Sequence, residues 1–128
     1  MKKQHILLAL RIIVAVILIQ TLRFKFTAHP DSVYIFETIG LEPFGRIGIG
    51  VLELIAGLLL LFRKTTWAGA LLTVGLMAGA IMMHLTQLGI EVRNDGGVLF
   101  YTALATFVMA LILLVTYRKE LPIVGSKF

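Results

Sequence analysis

Arg11, Glu53 and His84 each stand well inside a long apolar run of this 128-residue chain. A charge in hydrocarbon is costly, so each such residue is a candidate for function or for contact between helices. Counted at about 1.5 Å per helical residue, Arg11 lies about 12 Å in from Lys3, and Glu53 about 15 Å back from Arg63. That places the two at similar depth on neighbouring antiparallel segments, where they are expected to form an ion pair. Such a pair either fixes the packing of the first two segments or forms the polar floor of a pocket for a quinone head group, a proton or a small solute.

The elements that must carry these residues are apolar throughout. Hydrophobic residues make up 59% of the chain and charged ones 15%, against about 25% charged in a soluble domain, and the mean hydropathy is +0.96. Four runs approach or reach the roughly 20 residues a helix needs to cross a bilayer. They predict an all-α integral membrane four-helix bundle, a single domain with spans at about 4–26, 44–62, 66–90 and 97–117. Lys2 and Lys3 ahead of an apolar run resemble a signal peptide, but Arg11 interrupts the run and no small-residue cleavage site follows, so a retained helix is expected. Pro30-Asp31-Ser32, then Val33 to Phe36 and Gly40, predicts a short interfacial helix between spans one and two, lying across the outer mouth of the bundle. The other reading is a loop whose apolar side chains dip into lipid. Thr65 and Thr66 can cap the third span, and Asn94-Asp95-Gly96-Gly97 forms a turn into the fourth.

Lys2, Lys3, Arg63, Lys64, Arg118, Lys119 and Lys127 fall on one side of such a bundle, and Arg23, Lys25, Arg46 and Arg93 on the other. The excess places both termini in the cytoplasm. The net charge of +5 is therefore a topology signal and gives no reason to expect a nucleic-acid partner; the bilayer is the partner it implies.

Arg46, Gly50, Glu53 and Gly57 recur at helical spacing and form a stripe that should face the bundle interior, the glycines permitting close helix packing. Gly75 and Gly79 have the spacing of a small-residue packing motif. His84 lies about 900° of rotation beyond Gly75, on the opposite face. One face of the third span is then free to pack against a second copy, which makes a homo-oligomer an expectation. His84 lies about 27 Å beyond Thr66. It is expected to bond within the bundle, to line an outer vestibule with Lys25 and Arg93, or to face lipid head groups. His29 and His84 lack a carboxylate at ligand spacing, so no metal site is expected. The chain has no cysteine, which excludes disulfides, a thiol relay and a thiolate metal site.

Leu10-Arg11-Ile12, Phe24-Lys25-Phe26, Ile39-Gly40-Leu41, the Gly50 to Gly57 stretch, His84-Leu85 and Asp95-Gly96-Gly97 together resemble DoxX-like membrane proteins over nearly the whole chain. The resemblance implies a four-helix bundle of the bacterial inner membrane and draws attention to Arg11, Lys25, Glu53 and His84. The family's name is similar to that of a subunit of a thiosulfate:quinone oxidoreductase, and so the resemblance implies a redox-linked membrane subunit that binds a quinone or lipid-like molecule in the bundle, with a membrane or redox partner subunit. A non-catalytic scaffold and a small-solute or proton pathway are the alternatives. No nucleotide-binding loop or activated nucleophile is visible, so enzymatic activity of this chain alone is not expected.

Overall fold

Within a bilayer no water is present to satisfy peptide groups, so an apolar run must bond its own backbone as a helix. The computed structural model describes residues 2–27, 29–92 and 94–121, and in it the four apolar runs do this. The elements are α1 (Lys2–Gln20), α2 (Leu22–Phe26), α3 (Pro30–Thr38), α4 (Phe44–Leu61), α5 (Thr66–Met83) and α6 (Val98–Thr116). A π-helical turn, His84–Leu88, extends α5, and 3₁₀ turns occupy Arg63–Thr65 and Arg118–Glu120. The bundle is all-α among the described residues, with four helices long and apolar enough to cross a membrane. Arg93 and Lys127, counted above as loop charges, lie outside the described residues.

Two spans are less regular than expected. The first divides at Thr21, whose hydroxyl donates to the Leu18 carbonyl at 2.8 Å, and resumes as α2. The third loses α-helical geometry at His84 and stops at Gly89, whose φ of +82° only glycine adopts without strain.

The long helices form a ring in which α4 packs on α1 and α5, and α6 packs on α5 and α1. Val14, Leu60, Ala70, Ala110 and Leu113 are completely buried along its axis. Outward positions such as Ile6, Val16, Val108 and Val115 are large, apolar and exposed, as a lipid-facing surface requires. Small residues set the approach of neighbours. A methyl group on Gly69 would lie 2.9 Å from the Ala56 carbonyl oxygen, and one on Gly57 would lie 3.0 Å from the Ile19 side chain.

Gly75 and Gly79 behave otherwise, because nothing lies within 4 Å of a methyl placed on either. Gly69 precedes Gly75 by six residues, about 240° around the helix, so the close contact of α5 falls on a different face. The two predicted packing glycines border a cavity instead, and they share it with His84. The opposite-faces argument for a second copy therefore loses its footing.

Thr65 and Thr66 also act differently from expectation. The Thr65 hydroxyl donates to the Leu59 and Phe62 carbonyls, and that of Thr66 to Phe62. They satisfy the orphan carbonyls ending α4 and make no side-chain cap on α5. At the same end, Arg63 pairs with Glu120 at 2.7 Å and lies 4.0 Å over the Tyr117 ring, joining the α4–α5 connection to the end of α6. At the other end, the Asp95 carboxylate accepts from the backbone N–H groups of Val92, Gly97 and Leu99. Burial disfavours its ionised form, but the hydrogen bonds from Val92, Leu99 and Gly97 outweigh that, aided by nearby His84, and hold the carboxyl below its ordinary value.

Gly69→Ala should destabilise the detergent-solubilised protein by about 1–3 kcal/mol through overpacking, whereas Gly75→Ala should leave its melting temperature unchanged or raised, since alanine favours helix by up to about 1 kcal/mol. Because the folded carboxyl of Asp95 is the stronger acid, its contribution is present above the unfolded value near 3.8 and is lost as pH falls through the folded one. Asp95→Ala should cost about 1 kcal/mol at neutral pH, and the gap from wild type should close on acidification. A gap that persists at low pH would show that the carboxylate is not the cap.

Candidate functional site

Arg11, Arg46 and Glu53 are buried and Lys25 is partly buried, and their partners differ from those depth alone suggests. The expected Arg11–Glu53 pair does not form. Arg11, 8% exposed, donates from Nε to the Leu60 carbonyl at 2.9 Å and from Nη2 to the Leu61 carbonyl at 3.0 Å. These are among the last carbonyls of α4, which have no partner within the helix and carry its negative dipole end. Glu53 lies seven residues earlier on α4, about 10 Å along the axis. Equal counts from each segment's end misplaced the two because the ends of α1 and α4 are not level.

The partner of Glu53 is Lys25, with Nζ 2.8 Å from Oε1. The α4 stripe predicted to face inward explains how they meet. Arg46, Gly50, Glu53 and Gly57 are all buried, and the first three form the seat of α2. Arg46 donates from Nη1 to the Lys25 carbonyl near the end of α2, and its Nε bonds both carboxylate oxygens of Glu42 at 2.9 and 3.0 Å. At Gly50, one turn on, a methyl would lie 2.8 Å from the Phe26 ring, so only glycine lets α2 settle there. One further turn brings Glu53 level with the Lys25 ammonium. Arg46 was read as part of a packing face; its part in ending α2 depends on the break at Thr21, which has no sequence signature.

Glu53 is 3% exposed, and Oε1 lacks an aligned hydrogen-bond donor among the described residues despite its ion pair. It borders a cavity of about 320 Å³ lined by α1 to α6 and the π-turn. Most of the wall is apolar, from residues such as Ile17, Ile35, Ile49, Leu76 and Leu99. Lys25, Glu53, Asp31 and His84 contribute charged or titratable groups, and Thr21, Ser32, Thr102 and Thr106 hydroxyl-bearing ones.

His84 enters this wall from the first position of the π-turn and is 6% exposed. Its Nδ1 lies 2.9 Å from the Gly89 carbonyl oxygen. A carbonyl only accepts, so Nδ1 carries a proton, and when the ring is neutral Nε2 is an acceptor. The ring meets Phe100 edge to face at 5.6 Å. Of the expected vestibule, Lys25 and His84 share this cavity, and Arg93 lies outside the described residues. Helix α3, the expected interfacial helix, covers one end of the cavity with Ser32, Ile35 and Phe36. Ser32 and Phe36 are both buried, and their i, i+4 spacing was the available signal. His29 caps α3, its Nδ1 accepting from the Asp31 N–H at 3.1 Å.

Removing one member of a buried pair strands the other charge and costs about 3–5 kcal/mol. Lys25→Met and Glu53→Gln should each destabilise strongly, and the double variant should lose less than their sum. Arg11→Met combined with Glu53→Gln should be additive within about 0.5 kcal/mol, as for separate sites. Coupling of Arg11 to Glu53, without coupling of Lys25 to Glu53, would contradict this geometry.

No curated protein and no solved structure matches the chain. The family model described as DoxX matches residues 6–85, a span that includes Arg11, Lys25, Glu53 and His84 and leaves Asp95-Gly96-Gly97 and α6 outside it. With well over half of the chain matched, and with the four apolar helices of a multi-pass membrane protein, this chain belongs to the DoxX family.

Proposed function

We propose that this protein holds an amphiphilic, membrane-soluble molecule of the quinone or lipid-like kind in the cavity bounded by Lys25, Glu53 and His84, as a redox-linked membrane subunit working with a partner. The observation that carries this reading is the cavity itself: about 320 Å³ of largely apolar space with an ion pair and a histidine in its wall. Ligand pockets have this character, apolar walls with a few polar groups that orient the occupant, at volumes of about 300–1,000 Å³. The residues fit both redox forms of a quinone head: the Lys25 ammonium can donate to a quinone carbonyl oxygen, while Glu53 and His84 can accept from a quinol hydroxyl. When bound, a quinone would supply the electron-carrying chemistry that a chain without cysteine does not supply through thiols.

The completely buried layer of Val14, Ala56, Leu60 and Leu113 fills the bundle beyond the cavity. This supports a pocket closed at one end over a solute or proton pathway. Arg11 belongs to that closed end and takes no part in the proposed site.

The orientation proposed is that of a cytoplasmic membrane protein with both termini in the cytoplasm. Lys25 and Arg46 are engaged inside the fold, so they do not act as loop charges on the side of the cavity. Lys2, Lys3, Lys64, Arg118 and Lys119 stand at the other end, and the asymmetry that orients a bundle grows accordingly.

Native mass spectrometry of the purified protein with lipid extraction, comparing wild type with Glu53→Gln, tests the reading. A quinone or other amphiphile retained by wild type and lost from the variant is expected. Annular phospholipid alone, independent of residue 53, would move the protein to the class of membrane scaffolds.

A further inference from the structure

The cavity is too small for a long-chain amphiphile to be wholly enclosed, so its tail must leave between two helices. The walls indicate where. A second, shallower hollow on the outside of the bundle is lined by Ile17, Gly96, Val98, Tyr101, Thr102 and Ala105. Ile17 and Thr102 also line the inner cavity. The two spaces therefore lie on either side of Ile17 and Thr102 at the α1–α6 seam, the most sparsely packed of the four seams in the ring. Val98 and Tyr101 on its rim are largely exposed toward lipid.

The polar end of the cavity restricts the head group. The Lys25–Glu53 pair is neutral overall and Asp31 adds a second carboxylate to the wall, so the site disfavours an anionic head. Glu53 Oε1 faces the Lys25 ammonium at 2.8 Å and keeps further lone pairs for a donor, and the Gly89 carbonyl orients His84 so that Nε2 of the ring, when neutral, is an acceptor. Acceptor capacity left unused in an apolar cavity calls for a donor.

Resting on the ligand-binding reading above, we infer that the site takes a single-chain amphiphile with a non-anionic, hydroxyl-bearing head, which enters sideways from the membrane between α1 and α6 and leaves its tail in the groove bordered by Ile17, Thr102 and Ala105. A two-chain phospholipid fits less well, since its head carries an anionic phosphate and the groove is single.

Three probes separate the elements of this inference: dodecylphenol has the donor and the tail, dodecylanisole the tail without the donor, and phenol the donor without the tail. Binding to the full chain in nanodiscs is measured for wild type, Glu53→Gln, Ala105→Phe and Val108→Phe. Ala105 is exposed on α6 within the groove, so a ring there fills the groove without entering the core. Val108 is 48% exposed on the same helix and lies outside the groove, and serves as control. Wild type and Val108→Phe should bind dodecylphenol about tenfold or more tightly than either other probe, a difference of about 1.4 kcal/mol or more. Ala105→Phe should lose about tenfold for dodecylphenol with phenol unchanged, and Glu53→Gln should weaken both. Equal affinity of Ala105→Phe and wild type for dodecylphenol, with Glu53 dependence retained, would overturn the lateral groove and leave the pocket standing. Dodecylanisole binding as tightly as dodecylphenol would overturn the donor requirement. Indifference of all three probes to Glu53→Gln would remove the ligand site itself.

Discussion

An ionised side chain inside an apolar bundle must find its counter-charge or its carbonyls within the protein, because the surrounding lipid offers neither. Arg11, Lys25, Arg46 and Glu53 all face this constraint, and much of the arrangement follows from how each meets it. The two arginines bind the carbonyls that helices leave unpaired at their C-terminal ends, Arg11 at α4 and Arg46 at α2. A guanidinium suits this task, since its planar fork reaches two acceptors at once and remains charged. Lysine is a compact point charge, and Lys25 is the group placed against Glu53, the one carboxylate buried among the described residues.

These choices fix the registers of the helices. Arg11 holds α1 against the last turn of α4, which brings Ile19 over Gly57 and Phe26 over Gly50 further along the same seam. Beyond Thr21, α2 packs on α4, where Arg46 secures it and Lys25 meets Glu53. The polar part of the cavity is thus a consequence of helix docking that also serves stability, which makes single substitutions there change both.

The remaining walls come from elements that depart from regular membrane helices. Helix α3 is too short to span, and it lays Ser32 and Phe36 over the cavity. The π-turn adds a residue to the helical repeat where α5 reaches the same space, and places His84 in the wall with its ring oriented by Gly89. π-turns of this kind occur often at functional sites. Gly75 and Gly79 contribute by lacking side chains, leaving open volume on the cavity side of α5.

Hydrophobic run length alone determined the four membrane helices, because the bilayer permits no other backbone solution for an open chain of this composition. Helical spacing alone also determined that Arg46, Gly50, Glu53 and Gly57 share an inward face, since that relation lies within a single element. Lys25, Glu53 and His84 stood out as polar groups in or beside apolar runs, and the helix over Pro30–Thr38 was legible from its caps and aromatics. Tertiary structure decided which charges meet, because a partner depends on the relative height of two helices, and counting from segment ends assumes those ends are level. It also decided whether a glycine packs or opens space: Gly69 and Gly75 look alike in the chain and differ only in what stands opposite. The cavity, its covering by α3 and the wall it shares with the α1–α6 groove belong wholly to the assembled bundle, since each is bounded by residues from helices far apart in sequence.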